Sequence, residues 1–351
     1  MVVKILSLVV SANIALLEAT LSSGAFAQTI VHEKSQISVP ASISGMALQT
    51  SIKPGLTEFA KSYSYENADD RIEIVIFRAS YPNVGIWFPQ AIRQAKQLFG
   101  SLPLEPIGEP SRFTLKADKF NGMSQVFKIG SPIASTGIAV VGFDNWLVSV
   151  HSTSKTLDTS AQRARLIEIL TKIAPAKPVA VKYPLVILDE CPANQQSEFA
   201  PETEQPSPAI TLEMKVTGGL IASLASSGAF GSDPDGLALK PQNYCRAQSP
   251  TGKTIWYQTK AGALIPQWIL PISITGITVG GMPGPTTDRR GRDVSIGVLV
   301  VNDWTRSSVR GFYTAQPNPV SSQVIAMSAL ALGKPIYASV AYGTNKIEIE
   351  R

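Results

Sequence analysis

Alternation of apolar and polar positions is the strongest signal along this chain. Arg71-Ile-Glu-Ile-Val-Ile-Phe77 and Gly122-Met-Ser-Gln-Val-Phe-Lys-Ile129 repeat with period two, the pattern of half-buried strands. Gly137 to Phe143 and Trp146 to Val150 are two apolar runs either side of Asp144-Asn145, which predicts a hairpin with a two-residue turn. From Pro89 to Phe99 the spacing becomes helical, with Ala91, Ile92, Ala95 and Leu98/Phe99 on one side. Pro89 suits a first turn there, and Gly100 stands just past the end. A second helix is predicted where Thr159-Ser-Ala-Gln162 takes the capping-box form. Its stripe of Leu166, Ile167, Leu170, Ile173 and Ala174 is stopped by Pro175. Strands separated and closed by helices give an α+β fold, an N-terminal antiparallel sheet with helices on one face.

Beyond residue 208 the pattern is strand-rich. Ile210 to Val216, Thr254 to Gln258, Val294 to Val301, Arg310 to Thr314, Ile336 to Tyr342 and Lys346 to Glu350 read as strands. Helices are predicted near Gly219 to Ala225 and at Val320 to Leu332. A mostly antiparallel β domain follows from that order. Between the two lies a segment whose stretch Asp189 to Glu204 holds five acids and no Lys or Arg, with Pro192, Pro201, Pro206 and Pro208 nearby. The expected organisation is therefore a leader at 1–27, an α+β domain at 28–178, an acidic linker at 179–208 and a β-rich domain at 209–351.

The leader is read from the N-terminus. Lys4, an apolar stretch from Ile5 to Leu17 and a small-residue end at Ala25-Phe26-Ala27 form the secretory pattern, with cleavage expected near Ala27. That stretch is too short to span a bilayer, and the best later one, Ala261 to Ile272, is broken by Gly262, Pro266, Gln267 and Pro271. A protein without a transmembrane segment, in the periplasm or outside the cell, is expected. In such an oxidising space Cys191 and Cys245, 54 positions apart, are expected to pair as a disulfide.

Composition narrows the chemistry. A charged fraction of 16% and a net charge of +5 with no basic run argue against nucleic-acid binding. The chain has 2 histidines, His32 and His151, and with both cysteines paired a zinc site has almost no material. His32 lies near the expected new N-terminus, where chains are usually mobile. Ser232-Asp-Pro-Asp-Gly236 reads as a turn before it reads as a calcium loop. Neither a metal nor another cofactor is expected.

Ser152-Thr-Ser-Lys155 matches a Ser-x-x-Lys nucleophile pattern, but no Lys-Thr-Gly partner follows it and a loop is expected. Ala247 to Thr254 loosely matches a phosphate loop, yet the strand at Ile255 marks a hairpin turn. The Gly/Pro-rich loop carrying Arg289, Arg290 and Arg292 is the candidate anion-binding element, with Asp288 and Asp293 as local partners. Trp256, Tyr257, Trp268 and Trp304 would stack sugars if exposed, and form core if buried. Together these features favour a non-catalytic exported protein that binds a ligand or an envelope partner over an enzyme. The alternative is a secreted hydrolase whose site is assembled from distant residues.

Overall fold

A computed structural model describes residues 29–52, 60–175, 181–192, 243–248, 254–260, 268–272, 276–283, 296–302, 306–314, 338–341 and 347–349. Strands β1 (Thr29–Val31), β2 (Ile37–Pro40), β3 (Ser42–Ile43), β4 (Met46–Ile52), β5 (Ala60–Glu66) and β6 (Asp70–Arg78) precede helix α1 (Val84–Phe99). Then β7 (Glu105–Pro106), β8 (Ser111–Phe113), β9 (Gly122–Gly130), β10 (Ile133–Phe143) and β11 (Trp146–Ser154) lead to α2 (Thr159–Lys172) and β12 (Ala174–Pro175). The later strands are β13 (Tyr244–Gln248), β14 (Ile255–Thr259), β15 (Trp268–Ile272), β16 (Ile277–Pro283), β17 (Ile296–Asn302), β18 (Arg306–Thr314), β19 (Ala338–Ala341) and β20 (Ile347–Ile349).

These form mostly β architecture, with two helices among the described residues. The main sheet has the order β3-β4-β5-β6-β11-β10-β9-β7, with β8 also on β9. A small sheet, β1-β2-β12, accompanies it, and β13 to β20 make an antiparallel meander in sequence order. The predicted hairpin is present: Phe143 pairs with Trp146 around Asp144-Asn145, and Asp144 takes the positive φ of 54° that such a turn requires. No helix among the described residues is long and apolar enough to cross a membrane.

The two helices lie on opposite faces of the main sheet, which corrects the expectation of one covered face. Val75, Phe77, Ile138, Val140 and Leu147 pack with Trp87, Phe88 and Ala91 of α1. Their strand neighbours Ile74, Ile76, Ala139, Val141 and Val148 pack with Leu166, Ile169 and Leu170 of α2. Successive residues of a strand point to opposite faces, so the unbroken apolar runs Ile74 to Phe77 and Ile138 to Val141 are the mark of a sheet covered twice.

Each helix also starts differently from its sequence pattern. Asn83 caps α1, its side chain accepting from the Gly85 N–H at 2.8 Å, so Pro89 falls inside the helix. A proline there has no N–H to give the carbonyl four residues back, which is that of Gly85. Asp158, not Thr159, caps α2 by accepting from Ala161 N at 2.8 Å. Gln162 is buried instead and donates to the Ser152 carbonyl at 2.6 Å. Ile167 is 57% exposed, and Ile169 takes its expected place in the core.

Helix α1 touches both large sheets. Tyr244, Ile255, Tyr257 and Ile269 of the meander share one core with α1 and the main sheet. Gln90 donates to the Ile255 carbonyl at 3.0 Å, and the Tyr257 hydroxyl donates to the Ile86 carbonyl at 2.9 Å. Ser80 and Thr278 share a buried hydroxyl contact at 3.0 Å, and Ser80 N–H bonds the Gly276 carbonyl at 2.9 Å.

A strap from Leu185 to Cys191 joins the two parts. Leu185 N–H donates to the Phe120 carbonyl at 3.0 Å, and Val186 then passes directly over Gly85, where a side chain would collide with its carbonyl. The end of the strap runs parallel to β13 through Cys191 N to Arg246 O at 2.8 Å and Arg246 N to Asp189 O at 2.7 Å. The Cys191–Cys245 disulfide is formed there and is buried. Glu190 meets Arg246 at 2.7 Å and Asp189 meets Lys260 at 3.3 Å, so the first two acids of the acidic stretch have cationic partners.

Candidate functional site

Past the last turn of α1, the sheet face that the helix covers elsewhere becomes polar. Cross-strand register places Ser64, Glu73, His151, Ile138 and Gln125 in one row, and Glu66, Arg71, Thr153, Thr136 and Phe127 in the next. His151 is half-buried at the centre. Its Nε2 lies 2.9 Å from Thr136 Oγ1 and 3.4 Å from Thr153 Oγ1, and the Phe99 ring stands edge-on to it at 5.7 Å. Burial, with a smaller push from the Arg71 guanidinium, lowers the imidazole to about 4, so the ring is neutral at ordinary pH.

A hydrolase needs a different order of contacts. Nucleophile activation places a hydroxyl on the imidazole and a carboxylate behind the imidazole. Here the Ser62 hydroxyl donates to Glu73 Oε1 at 3.1 Å, while the hydrogen bonds of His151 go to threonines that line the sheet. The Thr136 hydroxyl also lies 2.9 Å from the Ser152 carbonyl, as a packing hydroxyl does. A histidine lowered to about 4 is also a weak base near neutral pH.

An open hollow of about 480 Å³ lies between the β9–β10 turn and the start of α2. Lys128, Lys155, Asp158 and Thr159 contribute its polar lining, beside the cis Ser131-Pro132 bond. Part of that polarity is already engaged. Lys155 Nζ donates to the Ala68 carbonyl at 2.6 Å, and Asp158 holds the helix start.

The other sequence candidates fall in several places. Ser152, Thr153 and Ser154 belong to β11, where a loop was expected, and Ser152 and Ser154 are fully buried. Gln248 pairs with Ile255, so the strands on either side of residues 249–253 form the expected antiparallel pair. Trp256, Tyr257 and Trp268 are buried core, which removes them as a sugar platform. His32 is buried rather than mobile: it bonds Ser35 at 2.8 Å and stands edge-on to Trp146 at 5.0 Å. Burial is the main cause that lowers it, followed by Lys61 and Lys34. Arg289, Arg290 and Arg292, the Ser232 to Gly236 turn, Trp304, the leader and the helices near 219–225 and 320–332 lie outside the described residues.

Among the described residues no three His, Cys, Asp or Glu side chains gather as a metal cluster. The row of Glu73 beside His151 went unnoticed in the sequence. The alternation of Arg71, Glu73 and His151, Thr153 with apolar neighbours was its only trace.

No family model matches this chain, and no curated protein matches it. It is similar to a crystal structure of a chain from Bacteroides thetaiotaomicron VPI-5482, at 11% identity over 56% of this chain and 60% of that one, with a TM-score of 0.23. The chain thus spans less than two thirds of the length of that structure, and a likeness at this level carries no argument about fold or function.

Proposed function

We propose that this protein is exported to the periplasm or the cell exterior and acts there by binding a ligand or an envelope partner, without catalysis. The observation that carries it is the buried Cys191–Cys245 disulfide, because such bonds persist where the surroundings are oxidising. The secretory pattern at 1–27 agrees with that setting. Two further features support binding over chemistry. Burial lowers both histidines, which makes each a weaker base, and Ser152, of the Ser-x-x-Lys pattern, is buried inside a strand. The organisation into a domain at 28–178, a linker at 179–208 and a domain at 209–351 belongs to the same proposal. So does the assignment of Arg289, Arg290 and Arg292 as an anion-binding loop.

Expression of the full chain in a bacterial host, followed by fractionation and intact mass measurement, tests the export. The expected product is periplasmic, begins at Gln28 and gains mass from alkylation only after reduction. A full-length cytosolic product with 2 free thiols would overturn the proposal. Treatment with a fluorophosphonate tests the second half. No adduct is expected, and stoichiometric labelling of one serine would make the protein a hydrolase instead.

A further inference from the structure

We propose that His151 is an acid-sensitive latch: its neutral ring holds the last turn of α1 on the main sheet, and protonation of the ring releases that turn.

The geometry has three parts. His151 bonds the sheet through Nε2, to Thr136 and Thr153 on the same face. Phe99, the last residue of α1, packs edge-on against the imidazole, while Ile138 beside it packs with earlier turns of the helix. Gly100 follows at φ 60° and ends the helix, so displacing this one turn removes the Phe99 ring and further hydrates the half-buried imidazole. Opening here is local because Leu98 is already 64% exposed and Lys96 and Gln97 are exposed.

The charges around the ring decide the direction. From β6, Arg71 and Glu73 face this row, and Arg71 opposes a second cation. Glu73 lies directly across from His151, with its carboxylate taken by the Ser62 hydroxyl. From β10 the facing residues are Thr136 and Ile138, which carry no charge. From α1 the last-turn cation is Lys96. A protonated ring therefore gains charge without a bonded carboxylate, while release of the turn hydrates it.

Linkage fixes the sign. Acidification is resisted while the turn is closed, where the imidazole titrates at about 4, and is favoured once it is open, at the ordinary 6.5. The closed form is thus most stable above 6.5 and weakens as pH falls toward 4. Between pH 7 and pH 4.5 the opening equilibrium should rise roughly 60-fold.

Hydrogen exchange read by mass spectrometry on the full chain tests this, with rates corrected for intrinsic pH dependence. A peptide covering 95–104 should lose protection roughly 60-fold from pH 7 to 4.5, while one covering 159–172 in α2 keeps it. In His151→Gln, which keeps a donor to Thr136 and does not titrate, the 95–104 peptide should show no such change. Equal loss in both peptides would mean global unfolding and overturn the latch, as would the same acid opening in the glutamine variant. If that variant fails to fold, NMR titration of His151 in the native chain decides: a midpoint near the ordinary 6.5 overturns the proposal and a strongly lowered one supports it.

Discussion

The Tyr257 hydroxyl donates to the Ile86 carbonyl at 2.9 Å and stands 3.5 Å from that of Gly85, the carbonyl that Pro89 leaves without its helical partner. A residue of the meander thus covers a gap that the sequence of α1 creates. Burial holds the phenol protonated far above its ordinary range, so it serves as a donor at every pH the protein meets. Tyr257→Phe should cost about 1 kcal/mol, the usual worth of one such bond, and urea denaturation is the measurement. An unchanged midpoint would show that the Gly85 carbonyl needs no cover.

Gly276 is fixed by two independent requirements. It sits at φ 83°, and a Cβ placed on it would collide with the carbonyl of Arg78. Gly276→Ala should therefore lose at least about 1–2 kcal/mol from the left-handed backbone alone. Loosening of the Ser80 and Thr278 contact should follow. Thermal unfolding would register the loss, and exchange at the Ser80 amide would locate it.

The staple at the end of the strap should matter mostly through the unfolded chain. Replacing Cys191 and Cys245 together by serine should lower stability by up to about 4 kcal/mol on the loop-entropy scale. Exchange protection should fall first at residues 185–191, which 2 backbone bonds and the surface Glu190–Arg246 pair tie to β13 and the surface Asp189–Lys260 pair ties to the end of β14. Loss confined to another region would show that the strap holds by packing alone.

Acid should also act through Asp70. Burial by itself would raise its carboxyl, yet Arg165 at 2.6 Å, with Ser154 and Asn67, outweighs it and holds the carboxyl below its ordinary value. A carboxyl lowered in the folded state contributes stability above its unfolded value of about 3.9 and loses it as pH falls further. Asp70→Asn should consequently flatten the fall in urea midpoint between pH 5 and pH 3. A fall as steep as that of the native chain would place the acid sensitivity elsewhere.

Much of the main sheet was legible because its signals are local. Arg71 to Phe77, Gly122 to Ile129 and the runs flanking Asp144-Asn145 became β6, β9, β10 and β11 within a residue or a few at each end. The strands β4, β5, β13, β15 and β16 were among those missed: Ser, Thr, Gly and Tyr blur the alternation in most of them, and Pro271 breaks the apolar run of β15. The side on which each helix packs was readable in the apolar run Ile74 to Phe77, whose continuity outweighs the alternation before it. The disulfide followed from cysteine arithmetic. The polar row at His151 did not, because it depends on register between strands about 80 positions apart, which no local pattern encodes.

The bond from Tyr257 to Ile86 joins residues separated by 171 positions. A chain emerging from its N-terminus therefore completes α1 long before the strands that cover its outer side exist. During that interval the proline-interrupted helix presents uncovered apolar surface, the condition that invites aggregation in slow, long-range topologies. Truncation after α2 should accordingly yield material that depends on chaperones to stay in solution.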